Sequence, residues 1–208
     1  MLRSPHPKLV LASTSAGRRA LFEAAGIEVS AEAPTCDEAS IIGENPPATA
    51  QARGLGKALS LARDGAIVIG ADQVCHLHGR VFSKPRDATD HRTQLRALRG
   101  QTHTLSNGVA VVHDGGVQAW TTDVHVTLRD DLGDDEIDDY VACGEARDCA
   151  GGYRVEGLGA RLLARVDGDQ FAVVGLPLFE VITVLRRLGW RPAPLSHKPG
   201  LPLQGQHS

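Results

Sequence analysis

The 208-residue chain is predicted to adopt an α/β fold built around a mixed β-sheet, on three observations. Segments with helical periodicity alternate with short apolar segments along the chain, which is typical of α/β proteins. The run AIVIGA at 66–71 is almost entirely apolar, as expected of a strand that is buried on both faces of a sheet. Two long β-type stretches at 102–113 and 117–128 flank Asp114-Gly115-Gly116, which predicts an antiparallel hairpin and therefore strands of both directions.

The first half of the chain begins with a strand that turns directly into a helix. The apolar run KLVLA at 8–12 predicts the strand, Ser15 the N-cap of the helix and Gly26 its end. The other elements predicted in this half are a strand at 27–33, a loop at 34–47, a helix at 48–64, the strand at 66–71 and a hairpin at 74–82 that turns at Gly79.

The second half contains the central hairpin and then mainly helices. The other elements predicted there are helices at 87–99, 133–143 and 177–189, a short strand between the glycines at 151–152 and at 157 and 159, and a strand at 161–166. From Trp190 onward the chain is rich in Pro, Gly and polar residues. We therefore expect one domain over 8–190 and a disordered tail over 191–208.

Composition and charge exclude several classes of protein. Hydrophobic residues make up 42% of the chain and charged residues 23%, which is ordinary for a globular protein and argues against disorder, collagen and coiled coils. No apolar run approaches the ~18 residues of a membrane helix, and no signal-peptide core is present, so we expect a cytoplasmic protein without membrane contact. The formal net charge of −3 gives no basic surface for a nucleic acid polymer.

Several familiar motifs are absent. The four cysteines are too few and too scattered for a disulfide framework, and are best interpreted as reduced, small apolar residues. The stretch 54–57, Gly-Leu-Gly-Lys, is not a P-loop, because position 51 is not Gly and position 58 is neither Ser nor Thr. His76 and His78 lack a third metal ligand, which favours ordinary histidines over a metal site.

Hydroxyls and arginines cluster where the first strand turns into the first helix, in Ser13-Thr14-Ser15-x-x-Arg18-Arg19. The first turn of a helix exposes unpaired N–H groups and a partial positive charge, so arginines there oppose the helix dipole. A bound anion offsets that cost, because N–H groups, hydroxyls and guanidinium groups together form a phosphate site. The alternative is a capped surface helix whose arginines are solvated.

Asp72-Gln73 follows the most apolar strand, and is therefore expected at its carboxyl end, where α/β sheets bind ligands. A carboxylate there can hold a metal ion or accept a proton from water. The alternative is an aspartate that caps a turn.

Four further charged residues are dispersed along the chain: Glu38, Lys57, Lys84 and Glu156. Together with Arg18 and Asp72 they have the chemistry of a pocket for a divalent cation and a triphosphate, since magnesium combines few carboxylates with phosphate oxygens. The spacing alone does not bring them together, and each is otherwise a solvated surface residue.

With these residues in place, the chain resembles the Maf family of nucleoside triphosphate pyrophosphatases over about residues 9–189. The matching stretches, in the family's order and spacing, are LVLASTSAGRRALF, Asp37-Glu38, the Lys57 region, VIGADQV, Ser83-Lys84-Pro85, ALRGQTH, EIDDYV, CAGGYRVEGLG and VVGLPL. The resemblance implies a fold similar to inosine triphosphatase, with a long mixed sheet, flanking helices and an active-site cleft between two lobes. It also implies hydrolysis of a nucleoside triphosphate to the monophosphate and pyrophosphate with Mg²⁺ or Mn²⁺, in house-cleaning of the nucleotide pool, and a homodimer.

Two details are similar to the 7-methyl-GTP branch of that family: Ser-Thr-Ser at 13–15 in place of Ser-Ala-Ser, and Glu156 in place of Gln. A carboxylate accepts hydrogen bonds from the ring N–H and the amine of guanine, whereas Gln offers the mixed donor and acceptor that a pyrimidine needs. The alternatives are a dTTP/UTP pyrophosphatase of the same family and a nucleotide-binding regulator of septation with little turnover.

The resemblance also implies a role for each matching residue. The proton acceptor is Asp72, the metal ligands are Asp72 and Glu38, the phosphate-binding residues are Ser13, Arg18, Lys57 and Lys84, and the residues that govern substrate choice are Gly17, Gln73 and Glu156. Gly17 departs from the branch, which often carries an aromatic residue at this position. Without that aromatic side chain, the chain lacks base stacking worth about 1–3 kcal/mol.

Overall fold

The structure, a computed structural model, describes residues 7–192. Its strands are β1 (Lys8–Ala12), β2 (Ser30–Glu32), β3 (Ala66–Leu77), β4 (Arg80–Phe82), β5 (Thr102–His113), β6 (Gly116–Leu128) and β7 (Leu163–Asp167). Its helices are α1 (Ala16–Ala24), α2 (Pro46–Ser60), α3 (Ala88–Leu98), α4 (Asp134–Cys143), α5 (Gln170–Val174) and α6 (Leu178–Arg187). Short 3-10 segments lie at Glu38–Ser40, Ala150–Gly152 and Leu158–Leu162.

These strands form one seven-stranded sheet in the order β2-β1-β3-β5-β6-β7, with β4 paired to the end of β3. Strand β1 runs parallel to β2 and β3, whereas β3, β5, β6 and β7 are successively antiparallel. The predicted α/β fold, the mixed sheet and the central hairpin are therefore confirmed.

Buried apolar side chains divide the molecule into two lobes that share the long strands. In the first lobe, α1 and α6 cover one face of β1, β3 and β5, for example through Phe22 and Leu185, while α2 covers the opposite face. In the second lobe, α3 and α4 pack through Leu95 and Ile137 against the far ends of β3, β5 and β6. The two lobes implied by the family resemblance are present, and a cleft lies between them.

Helix α2 lies directly on the sheet because glycines remove the side chains that would separate them. A Cβ added to Gly54 would lie less than 3.0 Å from the carbonyl of Gly108, and one added to Gly70 would lie as close to the carbonyl of Gly54. Gly108 faces the backbone of Ala50 in the same way. The backbone of α2 therefore meets the backbone of β3 and β5, and shape rather than adaptable side chains sets its position.

Strand β3 is longer than predicted, which corrects the expected position of Asp72-Gln73. The strand continues to Leu77, so both residues lie in its middle and not at its carboxyl end. It continues because β5 pairs with it as far as His76. Strand β1, in contrast, ends at Ala12 opposite Gly70, so one neighbour of β3 stops just before Asp72. Ser13 and Thr14, which follow this end of β1, line the cleft between the lobes.

Other elements differ from the prediction in detail. The strand expected between the glycines at 151–152 and 157–159 is wrong: Gly151 and Gly152 have positive φ angles, and the chain between the two 3-10 segments is an irregular turn. The second strand is shorter than predicted, at Ser30–Glu32. Helix α5 was not expected, because five residues contain too little periodicity to be detected.

At the end of the predicted domain, Trp190 is 7% exposed and packs with the first-lobe core. The expected tail at 191–208 falls outside the described residues from 193 onward. Within residues 7–192, no helix has both the length and the apolar character needed to cross a membrane.

Candidate functional site

The cleft between the lobes has a volume of about 800 Å³ and gathers the dispersed residues that the sequence singled out. All nine predicted site residues line it: Ser13, Gly17, Arg18, Glu38, Lys57, Asp72, Gln73, Lys84 and Glu156. They come from the β1–α1 junction, the 3-10 segment before α2, α2 itself, β3, and the segments that follow β4 and α4. Arg19, in contrast, is exposed and does not line the cleft.

A buried lysine joins two carboxylates at the base of the cleft. The Lys57 ammonium donates to Asp72 Oδ1 at 2.7 Å and lies 2.8 Å from Glu38 Oε2. Lys57 and Asp72 are only 5% and 6% exposed, whereas Glu38 is partly accessible. The position of α2 on the glycines of the sheet brings Lys57 within reach of Asp72.

The second oxygen of Asp72 is buried and has no hydrogen-bond partner among residues 7–192. Arg53 Nη1 lies 4.0 Å from it. Burial raises the pKa of Asp72 above its ordinary value, against the opposing charge of Lys57. Burial also acts to raise the pKa of Glu38, but the hydrogen bond and charge of Lys57, together with Asp72 and Arg53, outweigh it and hold that pKa below the usual range. Asp72 therefore presents an unsatisfied oxygen that attracts a proton or a cation.

The β1–α1 junction places a guanidinium group beside these carboxylates. Ser15 caps α1, as predicted, by accepting from the Arg18 backbone N–H at 3.3 Å. Ser13 Oγ accepts from the Ser15 N–H at 3.1 Å and lies 3.5 Å from Arg18 Nη1. The Arg18 side chain is held by a 2.7 Å bond from its Nε to the carbonyl of Gly175, at the end of α5. The guanidinium is thus oriented before any ligand binds.

Gln73 points away from Asp72, because successive residues of a strand face opposite sides of the sheet. Its amide nitrogen donates to the carbonyls of Ala172 and Val173 at 2.9 and 3.1 Å, and lies 3.2 Å from Asn107 Oδ1. The nitrogen is therefore committed to holding α5 against the sheet. Any contribution of Gln73 to substrate choice must come through its oxygen or through the position of α5.

The opposite wall of the cleft carries Glu156 on the segment that follows α4. Arg154 donates from Nε and Nη2 to the same oxygen, Glu156 Oε1, at 3.0 and 2.9 Å. The other oxygen, Oε2, receives no bond from Arg154. Lys84 is exposed and lines the same cleft after β4. Glu145 and Asp148 also line this wall, which makes it more acidic than the wall formed by α1 and α2.

The carboxylates fit a divalent cation only if a ligand supplies more oxygens. Within the described chain, no three His, Cys, Asp or Glu side chains group as a metal site. Asp72 and Glu38 nevertheless share Lys57, and Asp72 keeps a free oxygen. One or two carboxylates completed by phosphate oxygens is a common arrangement for magnesium.

Two cations of the cleft escaped the sequence analysis. Arg53 precedes Lys57 by four residues on α2, so the two cations share one helix face, and that spacing was the available signal. Arg154 lies within the glycine-rich stretch that was taken for a strand. Its pairing with Glu156 depends on the turn geometry of that stretch, which the sequence did not indicate.

Comparison with known proteins gives one family. The profile of the Maf-like protein family matches residues 8–188. The chain is 39% identical to the 7-methyl-GTP pyrophosphatase of Cupriavidus pinatubonensis (strain JMP 134 / LMG 1197), over 91% of this chain and 98% of that one. It is 37% identical to the nucleoside triphosphate pyrophosphatase of Nitrobacter winogradskyi, over 86% and 92% of the two chains. A solved HAM1 protein from Coxiella burnetii matches 86% of this chain and 98% of that one with a TM-score of 0.49 and 13% identity, which is too remote to support any conclusion.

Proposed function

The chain belongs to the Maf-like protein family, and on that premise we propose that it is a nucleoside triphosphate pyrophosphatase that prefers 7-methyl-GTP. The reaction is hydrolysis of the bond between the α- and β-phosphates, which releases the nucleoside monophosphate and pyrophosphate. The observation that carries the proposal is the unpartnered, buried oxygen of Asp72, set beside Lys57 in a cleft that also holds Arg18 and Lys84.

In the proposed reaction, Asp72 Oδ2 accepts a proton from the water that attacks the α-phosphorus. The new bond forms from this water oxygen to phosphorus, and the bond from phosphorus to the bridging oxygen of the β-phosphate breaks. Lys57 keeps the neighbouring oxygen of Asp72 paired, which orients the carboxylate. Most of the rate enhancement then comes from positioning and from fixed charges.

Cations in the cleft bind the phosphates. Arg18 is held ready by its bond to Gly175, and its planar group suits two phosphate oxygens at once. Lys84 approaches from the other lobe, so phosphate binding draws on both sides of the cleft. Asp72 and Glu38 would hold a divalent cation, which when bound neutralises phosphate charge and makes the α-phosphorus easier to attack.

The acidic wall of the cleft favours the methylated base. A guanine methylated at N7 carries a positive charge on its ring, and Glu156 and Asp148 lie on the wall opposite Arg18 and Lys57. Glu156 Oε2 is not engaged by Arg154 and can accept from the ring N–H and the amine. A pyrimidine has neither the positive ring charge nor the pair of adjacent N–H donors, so these residues would bind it less well.

The first experiment is a nucleotide panel with pyrophosphate as the readout. Purified protein with Mg²⁺ or Mn²⁺ is assayed on 7-methyl-GTP, GTP, dTTP, UTP, CTP and ITP. Preference for 7-methyl-GTP supports the proposal, and preference for dTTP or UTP assigns the alternative substrates. No turnover on any of them contradicts an enzymatic role and favours nucleotide sensing. Full turnover in excess chelator would rule out the divalent cation.

Exchange of one acidic residue tests base recognition separately. In Glu156→Gln, kcat/KM for 7-methyl-GTP should fall by at least about tenfold, since a hydrogen bond from a charged group is worth about 1.5–3 kcal/mol. The value for UTP should hardly change. Equal losses on both nucleotides would remove Glu156 from base selection.

A further inference from the structure

We propose that Glu145 and Tyr140 are positioning residues for base selection, because they hold the segment that carries Glu156 in the shape that presents its carboxylate to the cleft. We call residues 154–159 the specificity segment. The inference rests on the proposed function and names two further residues on which its substrate preference depends. Neither residue needs to touch the base.

Glu145 fastens the end of the specificity segment. Its Oε1 accepts from the Leu158 N–H at 2.9 Å, and its Oε2 accepts from the Gly159 N–H at 3.1 Å. Burial tends to raise the pKa of Glu145, but these backbone bonds outweigh it, so the pKa lies below its ordinary value. The residue is therefore an ionised acceptor for two adjacent amides, which an amide side chain cannot reproduce.

Tyr140, on α4, fastens the beginning of the same segment. Its hydroxyl accepts from the Arg154 N–H at 3.1 Å and donates to Glu145 Oε2 at 3.0 Å. One connected group of hydrogen bonds thus reaches both ends of residues 154–159. Between these two ends lies Glu156, whose own side chain is held by Arg154.

The glycines of this segment are explained by the same contacts. A Cβ on Gly157 would lie less than 3.0 Å from Glu145 Oε1, and a Cβ on Gly159 would lie as close to the Tyr140 hydroxyl. A larger residue at Gly157 would displace the Glu145 carboxylate, and one at Gly159 would also meet the backbone of Arg154, so a side chain at either position would disturb the anchoring contacts. The pair Gly157-x-Gly159 is therefore shaped to close on Glu145 and Tyr140.

The position of Glu156 depends on these anchors because its own contacts are local. Arg154, its hydrogen-bond partner, is only two residues away on the same segment, so this pair moves with the segment as a unit. Glu145 and Tyr140 are the hydrogen-bonding side chains that tie that unit to α4 and the chain that follows it. If the segment were loose, the Glu156 carboxylate would still be present but would no longer be aligned with the base. Substrate preference would then change more than the rate of the chemical step.

The test compares Glu145→Gln and Tyr140→Phe with the control Glu136→Gln. Glu136 also accepts a backbone N–H, that of Gly133 at 3.0 Å, but at the far end of α4 and outside the cleft. For Glu145→Gln we expect KM for 7-methyl-GTP to rise about tenfold with little change in kcat, and the values for UTP to stay within about threefold. Glu136→Gln should match wild type on both nucleotides.

Two further readouts separate positioning from general structure. Amide hydrogen exchange in residues 154–159 should accelerate in Glu145→Gln and not in Glu136→Gln. In a Glu156→Gln background, Glu145→Gln should reduce the preference for 7-methyl-GTP no further, because the group being positioned is absent. Tyr140→Phe removes a single hydroxyl, and serves if Glu145→Gln fails to fold.

The outcomes distinguish this inference from the proposed function. Wild-type protein that turns over none of the nucleotides defeats the proposed function and the inference with it. Active wild type combined with an unchanged nucleotide preference in Glu145→Gln and Tyr140→Phe defeats the inference alone. Faster exchange without a change in preference would make Glu145 a purely structural residue, and an additional loss in the Glu156→Gln background would also overturn its positioning role.

Discussion

Replacement of Asp72 by Asn tests the proposed chemistry most directly, because it removes the proton acceptor and preserves the shape of the side chain. General base catalysis contributes about 10²- to 10⁴-fold to rates, so kcat for the best nucleotide should fall by at least about a hundredfold. Binding should change less, since the phosphate-binding cations Arg18 and Lys84 remain.

Stability should change little in this variant, for reasons visible in the contacts of Lys57. The ammonium keeps Glu38 at 2.8 Å, and Asn still offers an acceptor where Asp72 Oδ1 lies. The ion pair becomes a hydrogen bond from the Lys57 ammonium to a neutral amide oxygen, a loss of about 1–2 kcal/mol that relief from burying a carboxylate partly offsets. The Tm should therefore fall by no more than about 6 °C, at roughly 2–4 °C per kcal/mol for a chain of this size.

The assay is release of pyrophosphate, followed from acid to neutral pH in wild type and in Asp72→Asn. Because burial raises the pKa of Asp72 and the base works ionised, wild-type kcat should fall as pH drops, beginning above the ordinary range of an aspartate. This acid limb should vanish in the variant. Asp131→Asn, at an exposed carboxylate paired with Arg129, is the matched control and should behave as wild type. Activity of Asp72→Asn within a few-fold of wild type would refute the assignment.

Three further substitutions test the packing of α2 on the sheet, the buried His103 and the place where the base binds. Gly54→Ala should lower the unfolding free energy by about 1–3 kcal/mol and reduce kcat at least about tenfold. The control is Gly56→Ala on the same helix, where the added Cβ meets the end of the flexible Ile41 side chain. Its unfolding free energy in a urea titration should be nearly that of wild type. Burial lowers the pKa of His103 from 6.5 to about 4, so stability present above 6.5 is lost as pH falls towards 4, by about 3 kcal/mol. His103→Gln, which keeps a hydrogen-bonding group beside the Tyr153 hydroxyl, should flatten that dependence. If wild type and His103→Gln lose the same unfolding free energy in urea titrations between pH 6.5 and pH 4, the assignment is contradicted. Gly17→Tyr should lower KM for 7-methyl-GTP roughly tenfold by stacking; an unchanged KM would show that the base lies elsewhere.

The fold was largely predictable because its elements are bounded by local signals. Ser15 and Asp87 cap helices where their short polar side chains predict it, and the Asp-Gly-Gly turn joins the two longest adjacent strands. The errors occurred where tertiary contacts override those signals. Asp72-Gln73 interrupts an apolar run without ending the strand, because Lys57 binds one oxygen of Asp72 and α5 binds the Gln73 amide nitrogen, from opposite faces.

Part of the lining of the cleft was predictable from the sequence, but its arrangement was not. The family resemblance located nine residues, and all of them line one cleft. The path of the backbone decides that the Gln73 amide points towards α5. It also decides that Glu145 accepts hydrogen bonds from the backbone N–H groups 13 and 14 residues later. No spacing in the sequence encodes such contacts, because the partners are main-chain groups that every residue carries.

The backbone contact between α2 and the sheet also has a consequence for how this protein can diverge. Helix α2 and the sheet are in backbone contact at Gly54, Gly70 and Gly108. A side chain introduced at any of the three would collide with the main chain of the neighbouring element. Single substitutions at these glycines are therefore not tolerated, and the distance between Lys57 and Asp72 cannot change gradually during evolution. Gly17, whose added Cβ would meet only the methyl of Val174 at 3.1 Å, is open to exchange one substitution at a time. If these residues have the proposed roles, descendants of this chain can change which base they accept far more easily than which bond they cut.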